Sequence, residues 1–94
     1  MNARQKIEEN ARDLGFKVLE AFVKADIFRL EKRSFSGDLN FYLVEVRYTS
    51  ANVVHSAVAH GPKEDQEIMR LDHRDNNKAN KIISLFRWLA GKNE

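Results

Sequence analysis

The sequence contains no cysteine, only one proline and four glycines among its 94 residues. The absence of cysteine excludes disulfides, a thiol nucleophile and thiolate metal sites. No segment approaches the roughly 18 consecutive apolar residues of a membrane-spanning helix, and the first ten residues are polar. We therefore expect a soluble, cytoplasmic chain that does not enter the membrane. Because no Pro/Gly-rich linker is present, residues 1–94 are predicted to form a single domain.

The charges are nearly balanced but unevenly distributed. Sixteen Lys and Arg residues and fourteen Asp and Glu residues leave a net charge of +2. Residues 1–33 carry +2, residues 34–72 carry −3 and residues 73–94 carry +3. A domain built to bind many phosphates usually has a larger and clustered basic excess, so composition alone does not predict strong binding of a polyanion.

The first segment has the apolar spacing of an amphipathic helix. Ala3, Ile7, Ala11 and Leu14 recur at intervals of three and four residues, which places them on one stripe. Glu8 and Arg12 are one turn apart and are predicted to pair. Gly15 follows where a left-handed residue commonly ends a helix.

Residues 16–33 are compatible with either a helix or a β-hairpin. A helical stripe can be drawn through them, but β-branched and aromatic residues are dense and Gly15 has just ended a helix. We favour two strands with a break near residues 24–26. Phe28 and Leu30 would then face inward on the second strand.

The next segment is a strand with one apolar face, followed by a short turn. From Asn40 to Tyr48 the side chains alternate, and those that share one face are Tyr42, Val44, Val46 and Tyr48. Asn52 can adopt a positive φ in the turn, and residues 53–60 return as the partner strand. Residues 68–71 are predicted to add a short strand.

The last element is predicted to be a helix from residue 75 to residue 90. Asp75 or Asn76 would cap its start and Gly91 would end it. The predicted fold is therefore α+β: an antiparallel meander of four or five strands flanked by N-terminal and C-terminal helices, both on one sheet face.

Residues spread over most of the chain resemble small uncharacterised proteins of mycobacteriophages and related actinobacterial phages. They are Ile7, Glu8, Ala11, Gly15, Phe16, Val18, Asp26, Phe28, Val44, Val46, Tyr48, Thr49, Val54, Ala57, Lys78, Ile82, Trp88 and Leu89. Asn52 stands where that pattern would have a glycine. The resemblance implies a phage or prophage accessory protein that acts in the bacterial host cytoplasm, and it implies no catalytic residues.

One acidic pattern is similar to the restriction-nuclease-like metal site. In that fold an Asp on one strand and a Glu-x-Lys on the next hold magnesium. Here the corresponding residues are Asp26, Glu45 and Arg47. Arg47 cannot deprotonate to act as a base, and alternation puts Glu45 and Arg47 on the outer strand face. We therefore keep this site as a minor hypothesis and predict no enzyme activity.

Metal and cofactor sites are not predicted. His55, His60 and His73 are spaced by five and thirteen residues, which matches no common ligand motif. The serines lack a nucleophile elbow, and no glycine-rich phosphate loop is present. We expect no catalytic residue, no metal and no cofactor.

The last helix carries the strongest indication of function. Its sheet-packing stripe is centred on Phe86, whereas Leu85 and Trp88 lie about 100° and 160° away. Either the first helix covers these two residues, or they form a surface for a host protein or a second copy of the chain in a homodimer. We favour a non-enzymatic protein-interaction module.

The alternative function is nucleic-acid binding. The α, strands, α order is similar to the double-stranded-RNA-binding domain, in which lysines at the start of the last helix contact phosphates. The candidate residues are Lys78, Lys81 and Arg87, although an Asp75 cap would oppose an anion there.

Overall fold

A computed structural model describes residues 1–63 and 65–92, apart from the side chain of Glu20. Along the chain one helix precedes five consecutive strands and a second helix follows them, which confirms the predicted α+β class. The elements are α1 (Ala3–Asp13), β1 (Lys17–Phe22), β2 (Ala25–Arg33), β3 (Leu39–Tyr48), β4 (Val54–His60), β5 (Glu67–Leu71) and α2 (Lys78–Gly91).

The strands form one antiparallel sheet in the order β1-β2-β3-β4-β5. Residues 16–33 form the hairpin that we favoured over a helix, and its two-residue turn lies at Val23 and Lys24. In the middle of the sheet Phe28 lies opposite Val44, and Val44 lies opposite Ala59. The prediction of four or five strands is therefore confirmed with five.

Both helices pack on one face of the sheet, which we call the covered face, and the other is called the open face. The inward residues predicted on β2 and β3 lie on the covered face and are buried. Phe86 of α2 centres the core, since its ring lies 4.7 Å from Phe16 and 5.2 Å from Phe28. Neither helix of the described chain has the length and apolar character needed to cross a bilayer.

The first helix begins and ends for local reasons. Asn2 and Gln5 form a reciprocal capping box at its start, and Gly15 has a φ of +91° just after its end. The predicted pairing within the helix is different. Glu8 pairs with Arg4, one turn earlier, at 3.5 Å, because Arg4 is drawn to the sheet beneath the helix.

The predicted start of the last helix was three residues too early, and its predicted end was one residue short. The helix begins at Lys78, and its N-cap is Asn77 in the left-handed conformation. The aspartates stabilise the preceding turn instead: the Asp75 carboxylate accepts from the Asp72 amide at 2.7 Å. At the other end Gly91 is the last helical residue, and the chain becomes extended at Lys92.

Candidate functional site

The solvent-facing side of α2 combines one exposed tryptophan with basic side chains. Trp88 is 54% exposed. At 100° per residue, Lys81, Ser84, Arg87 and Trp88 fall within an arc of about 120° on the helix, and all four are exposed. We call these four residues the α2 basic face.

The charge of this surface has one sign. The sequence of α2 contains no Asp or Glu. Beyond its last turn, the ammonium nitrogen of Lys92 lies 5.0 Å from the centre of the Trp88 ring and 5.9 Å from that of Tyr42. A cation at this distance is attracted to the ring face. One cation, the Lys92 ammonium group, therefore lies over the half-exposed indole.

The two residues predicted as a partner surface have different environments. Leu85 is partly buried and packs against the core, whereas Trp88 is 54% exposed and projects into solvent. The geometry leaves Trp88 as the single apolar anchor of the surface, with Leu85 at its border.

The three predicted nucleic-acid contacts also divide into two groups. The ammonium group of Lys78 donates to the carbonyl oxygens of His73 at 3.2 Å and Asp75 at 2.9 Å, so it stabilises the turn before the helix. Lys81 and Arg87 are exposed. No side-chain hydrogen bond or ion pair joins them to another described residue, and both can reach an anionic partner.

Lys92 is a residue of this surface that the sequence analysis did not identify. It follows Trp88 by four positions, which is the spacing at which side chains meet on a helix. That spacing is visible in the sequence and could have indicated the contact.

A second polar cluster lies under α1 and ties the helix to the sheet. The Asp26 carboxylate, which is fully buried, accepts from the guanidinium of Arg4 at 2.9 Å and from the hydroxyl of Tyr48 at 3.0 Å. Arg4 also donates to the carbonyl oxygens of Phe22 at 2.8 Å and Val23 at 2.7 Å. One arginine thus stabilises the end of the β1–β2 hairpin and neutralises the buried carboxylate.

The buried Asp26 carboxylate contributes to raised pKa values at three neighbouring side chains, those of Arg4, Glu8 and Tyr48. Burial, followed by the hydrogen bond and the negative charge of Asp26, raises the pKa of Glu8. Burial and the charge of Asp26 also raise the pKa of the Tyr48 hydroxyl, which keeps it protonated as a donor to Asp26. The cluster therefore favours the protonated form of Glu8 and joins α1 to the sheet.

We expect Glu8→Gln to remove a pH dependence of stability. Folded Glu8 holds its proton above the ordinary pKa of 4.5, so its contribution is complete below that pH and is lost as the pH rises through the raised pKa. The introduced amide would donate to Asp26 at every pH. In urea denaturation between about pH 4 and pH 8, the free energy of unfolding of the variant should increase relative to that of the wild type as the pH rises.

Two other carboxylates have lowered pKa values, which give the opposite dependence of stability on pH. Both are present in the wild type and in the Glu8 variant. Arg70 lowers the pKa of Glu67 through a hydrogen bond, and the amide of Arg74 lowers the pKa of Asp72. The comparison of variant with wild type cancels these contributions. A stability difference that is constant from about pH 4 to pH 8 would contradict the role assigned to Glu8.

The structure does not bring together the residues of the nuclease hypothesis. Asp26 lies opposite Val46 in the sheet register and points to the covered face. Glu45 and Arg47 lie on the open face, where they form an ion pair of 2.9 Å. The two carboxylates are therefore on opposite sides of the sheet and cannot share one metal ion.

Two of the three histidines lie together and the third lies apart. The rings of His55 and His73 stack with their centres 5.8 Å apart, whereas His60 lies on the open face. Among the described residues, no three histidine or carboxylate side chains form a group that could hold a metal ion.

The α2 basic face is the strongest candidate site, because it combines an exposed aromatic side chain with accessible charge of one sign. Comparisons with protein-family models, curated proteins and solved structures find no match to this chain.

Proposed function

We propose that this chain is a non-enzymatic protein-interaction module whose α2 basic face docks on an acidic surface of a partner protein. The observation that supports this is the exposure of Trp88, at 54%, on a helix without acidic residues. Tryptophan and arginine are the side chains most often found as energetic anchors of interfaces. The site needs no reacting group, because the proposed function is binding.

Charge favours an acidic partner over a second copy of the chain. A two-fold dimer through this surface would place the same patch on both sides of the interface. Lys81, Arg87 and Lys92 would then face or approach their own copies, and like charges across an interface cost several kcal/mol. An acidic protein surface would instead attract these residues and leave the indole to fill an apolar pocket.

The two kinds of side chain would make different contributions. Trp88 would provide the buried contact that slows dissociation, and the basic residues would raise the association rate by long-range attraction. Lys92, already placed on the ring of Trp88, restricts the indole before binding. The resemblance to actinobacteriophage proteins stays a prediction, and it makes a bacterial host protein the first partner to test.

We expect Trp88→Ala to weaken partner binding about thirtyfold or more and to leave the fold intact. Loss of an aromatic anchor commonly costs about 2 kcal/mol or more of binding free energy. Because the side chain is half exposed, its loss should cost about 1 to 2 kcal/mol of unfolding free energy, less than the roughly 3 to 5 kcal/mol of a fully buried tryptophan. A partner recovered from a host lysate and identified by mass spectrometry would be titrated against the purified wild type and variant.

Phe35→Ala is the matched control, since Phe35 is an exposed aromatic residue at 91% in the β2–β3 turn. It should bind the recovered partner as the wild type does. Arg87→Glu should weaken the same complex and reduce its dependence on salt. Equal binding by the wild type and the Trp88 variant would overturn the proposal.

Nucleic-acid binding is the second candidate, and it is favoured by the exposed positions of Lys81 and Arg87 on one face of α2. Two phosphate contacts would give a slope of about −1.8 in a plot of log affinity against log salt concentration for duplex DNA. Binding of short DNA and RNA duplexes at low salt, lost in Lys81→Gln, would support this candidate. Absence of binding to both duplexes at low salt would exclude this candidate and favour the protein-interaction function.

A further inference from the structure

The open face of the sheet contains a pocket of about 360 Å³, on the side opposite both helices. Phe41 and Leu43 of β3 form its apolar floor, and Leu19 of β1 and Pro62 form apolar walls. Pockets that bind small molecules begin at about 300 Å³ and are mostly apolar, with a few polar groups that orient the ligand.

The wall that contains Pro62 is held by the backbone after β4. The amide of Gly61 donates to the carbonyl oxygen of Gln66 at 2.9 Å, which closes the loop. Gly61 is buried against the backbone of Phe41 and the ring of Tyr42. This close packing places Pro62 and Lys63 at the side of β3, where they enclose the pocket.

The polar groups that line the pocket are basic. Arg29 and Lys63 contribute two permanent positive charges, and none of the described lining residues is acidic. The guanidinium of Arg29 lies 4.3 Å from the centre of the Phe41 ring, and Glu31 binds it at 3.2 Å. Stacking fixes the plane of the guanidinium, and the ion pair occupies only part of its five N–H donors.

His60, which also lines this pocket, has a buried ring nitrogen, Nδ1, without a hydrogen-bond partner among the described residues. Buried polar atoms in native proteins nearly always have a partner.

We propose that the open-face pocket binds a small organic anion: a carboxylate paired with Arg29 and Lys63, whose ring or hydrocarbon chain lies on Phe41 and Leu43. Size and composition together select this class. Inorganic phosphate would leave the apolar floor uncovered, and a neutral apolar molecule would leave Lys63 and the remaining N–H donors of Arg29 without an anion. The site is separate from α2, so it does not depend on the proposed protein partner.

The test is a titration of the full chain with 2-naphthoate and with its neutral analogue 2-naphthamide, followed by amide NMR shifts. We expect naphthoate to bind with a Kd on the order of 1 mM or tighter and naphthamide to bind at least about tenfold more weakly. The largest shifts should map to residues 41–43 and 60–63. Equal affinities, shifts centred elsewhere, or no binding at about 10 mM would overturn the proposal.

Arg29→Gln should weaken naphthoate binding about tenfold or more and leave naphthamide binding unchanged. Arg47→Gln is the matched control, because Arg47 is another open-face arginine paired with a glutamate two residues away and it does not line this pocket. It should bind as the wild type does. Trp88→Ala should also bind naphthoate normally, which separates this result from the outcome of the protein-partner experiments.

Discussion

Replacing Asp26 with alanine should lower the free energy of unfolding by about 3 to 5 kcal/mol, the usual cost of removing one member of a buried ion pair. Asp26 is fully buried, and it satisfies both the Arg4 guanidinium and the Tyr48 hydroxyl. The variant would leave these two donors without their acceptor, together with a cavity beneath α1. Urea denaturation monitored by circular dichroism would measure the loss.

Glu45→Ala is the matched control for this prediction. The Arg47–Glu45 pair has the same 2.9 Å distance as the Arg4–Asp26 pair, but its side chains are 68% and 34% exposed, against 15% and 0%. Exposed ion pairs contribute about 0 to 1 kcal/mol. If the two variants lose the same stability, burial does not strengthen the Asp26 network as we argue.

This network also shows where sequence reasoning ends. Asp26 shares the inward alternation of Phe28 and Leu30, so the sequence already indicates a buried carboxylate that needs a cation. The identity of that cation is not visible, because Arg4 lies 22 positions earlier on a separate helix. The expected pair of Glu8 with Arg12 was based on helix spacing alone. In the structure Glu8 pairs with Arg4, which the buried Asp26 holds at the sheet.

The candidate sites were predictable to different extents. The helical periodicity of α2 was enough to separate Trp88 from the sheet-packing stripe, because this helix lies flat on one sheet face. The first residue of α2 was predicted less well, since Asp75 can stabilise either a helix start or the turn that it forms with Asp72. The open-face pocket was not predicted, because its walls depend on how the loop after β4 packs on β3. That packing joins residues distant in the chain and leaves no periodic pattern in the sequence.

The packing of this loop leads to the second large expected effect. Gly61→Ala should lower the free energy of unfolding by about 3 kcal/mol or more, since strain and overpacking act together. Gly61 has a φ of +146°, and an added Cβ would lie 2.7 Å from the carbonyl oxygen of Phe41 and closer still to the ring of Tyr42. Neither neighbour can move away easily, because one is strand backbone and the other is a buried core residue. Thermal and urea denaturation would measure the loss.

Gly37→Ala separates the two causes of this loss. Gly37 also has a positive φ, +91°, but an added Cβ there meets nothing within 4 Å. Its replacement should cost only the backbone strain, about 1 to 2 kcal/mol. A Gly61 variant that loses no more than the Gly37 variant would show that the loop can move away from β3. The pocket wall formed by Pro62 and Lys63 would then be adjustable, and naphthoate should still bind to the Gly61 variant. If the larger loss is observed, the added methyl group distorts a loop that cannot move freely, and naphthoate binding should also weaken, because Pro62 and Lys63 directly follow Gly61 in the chain.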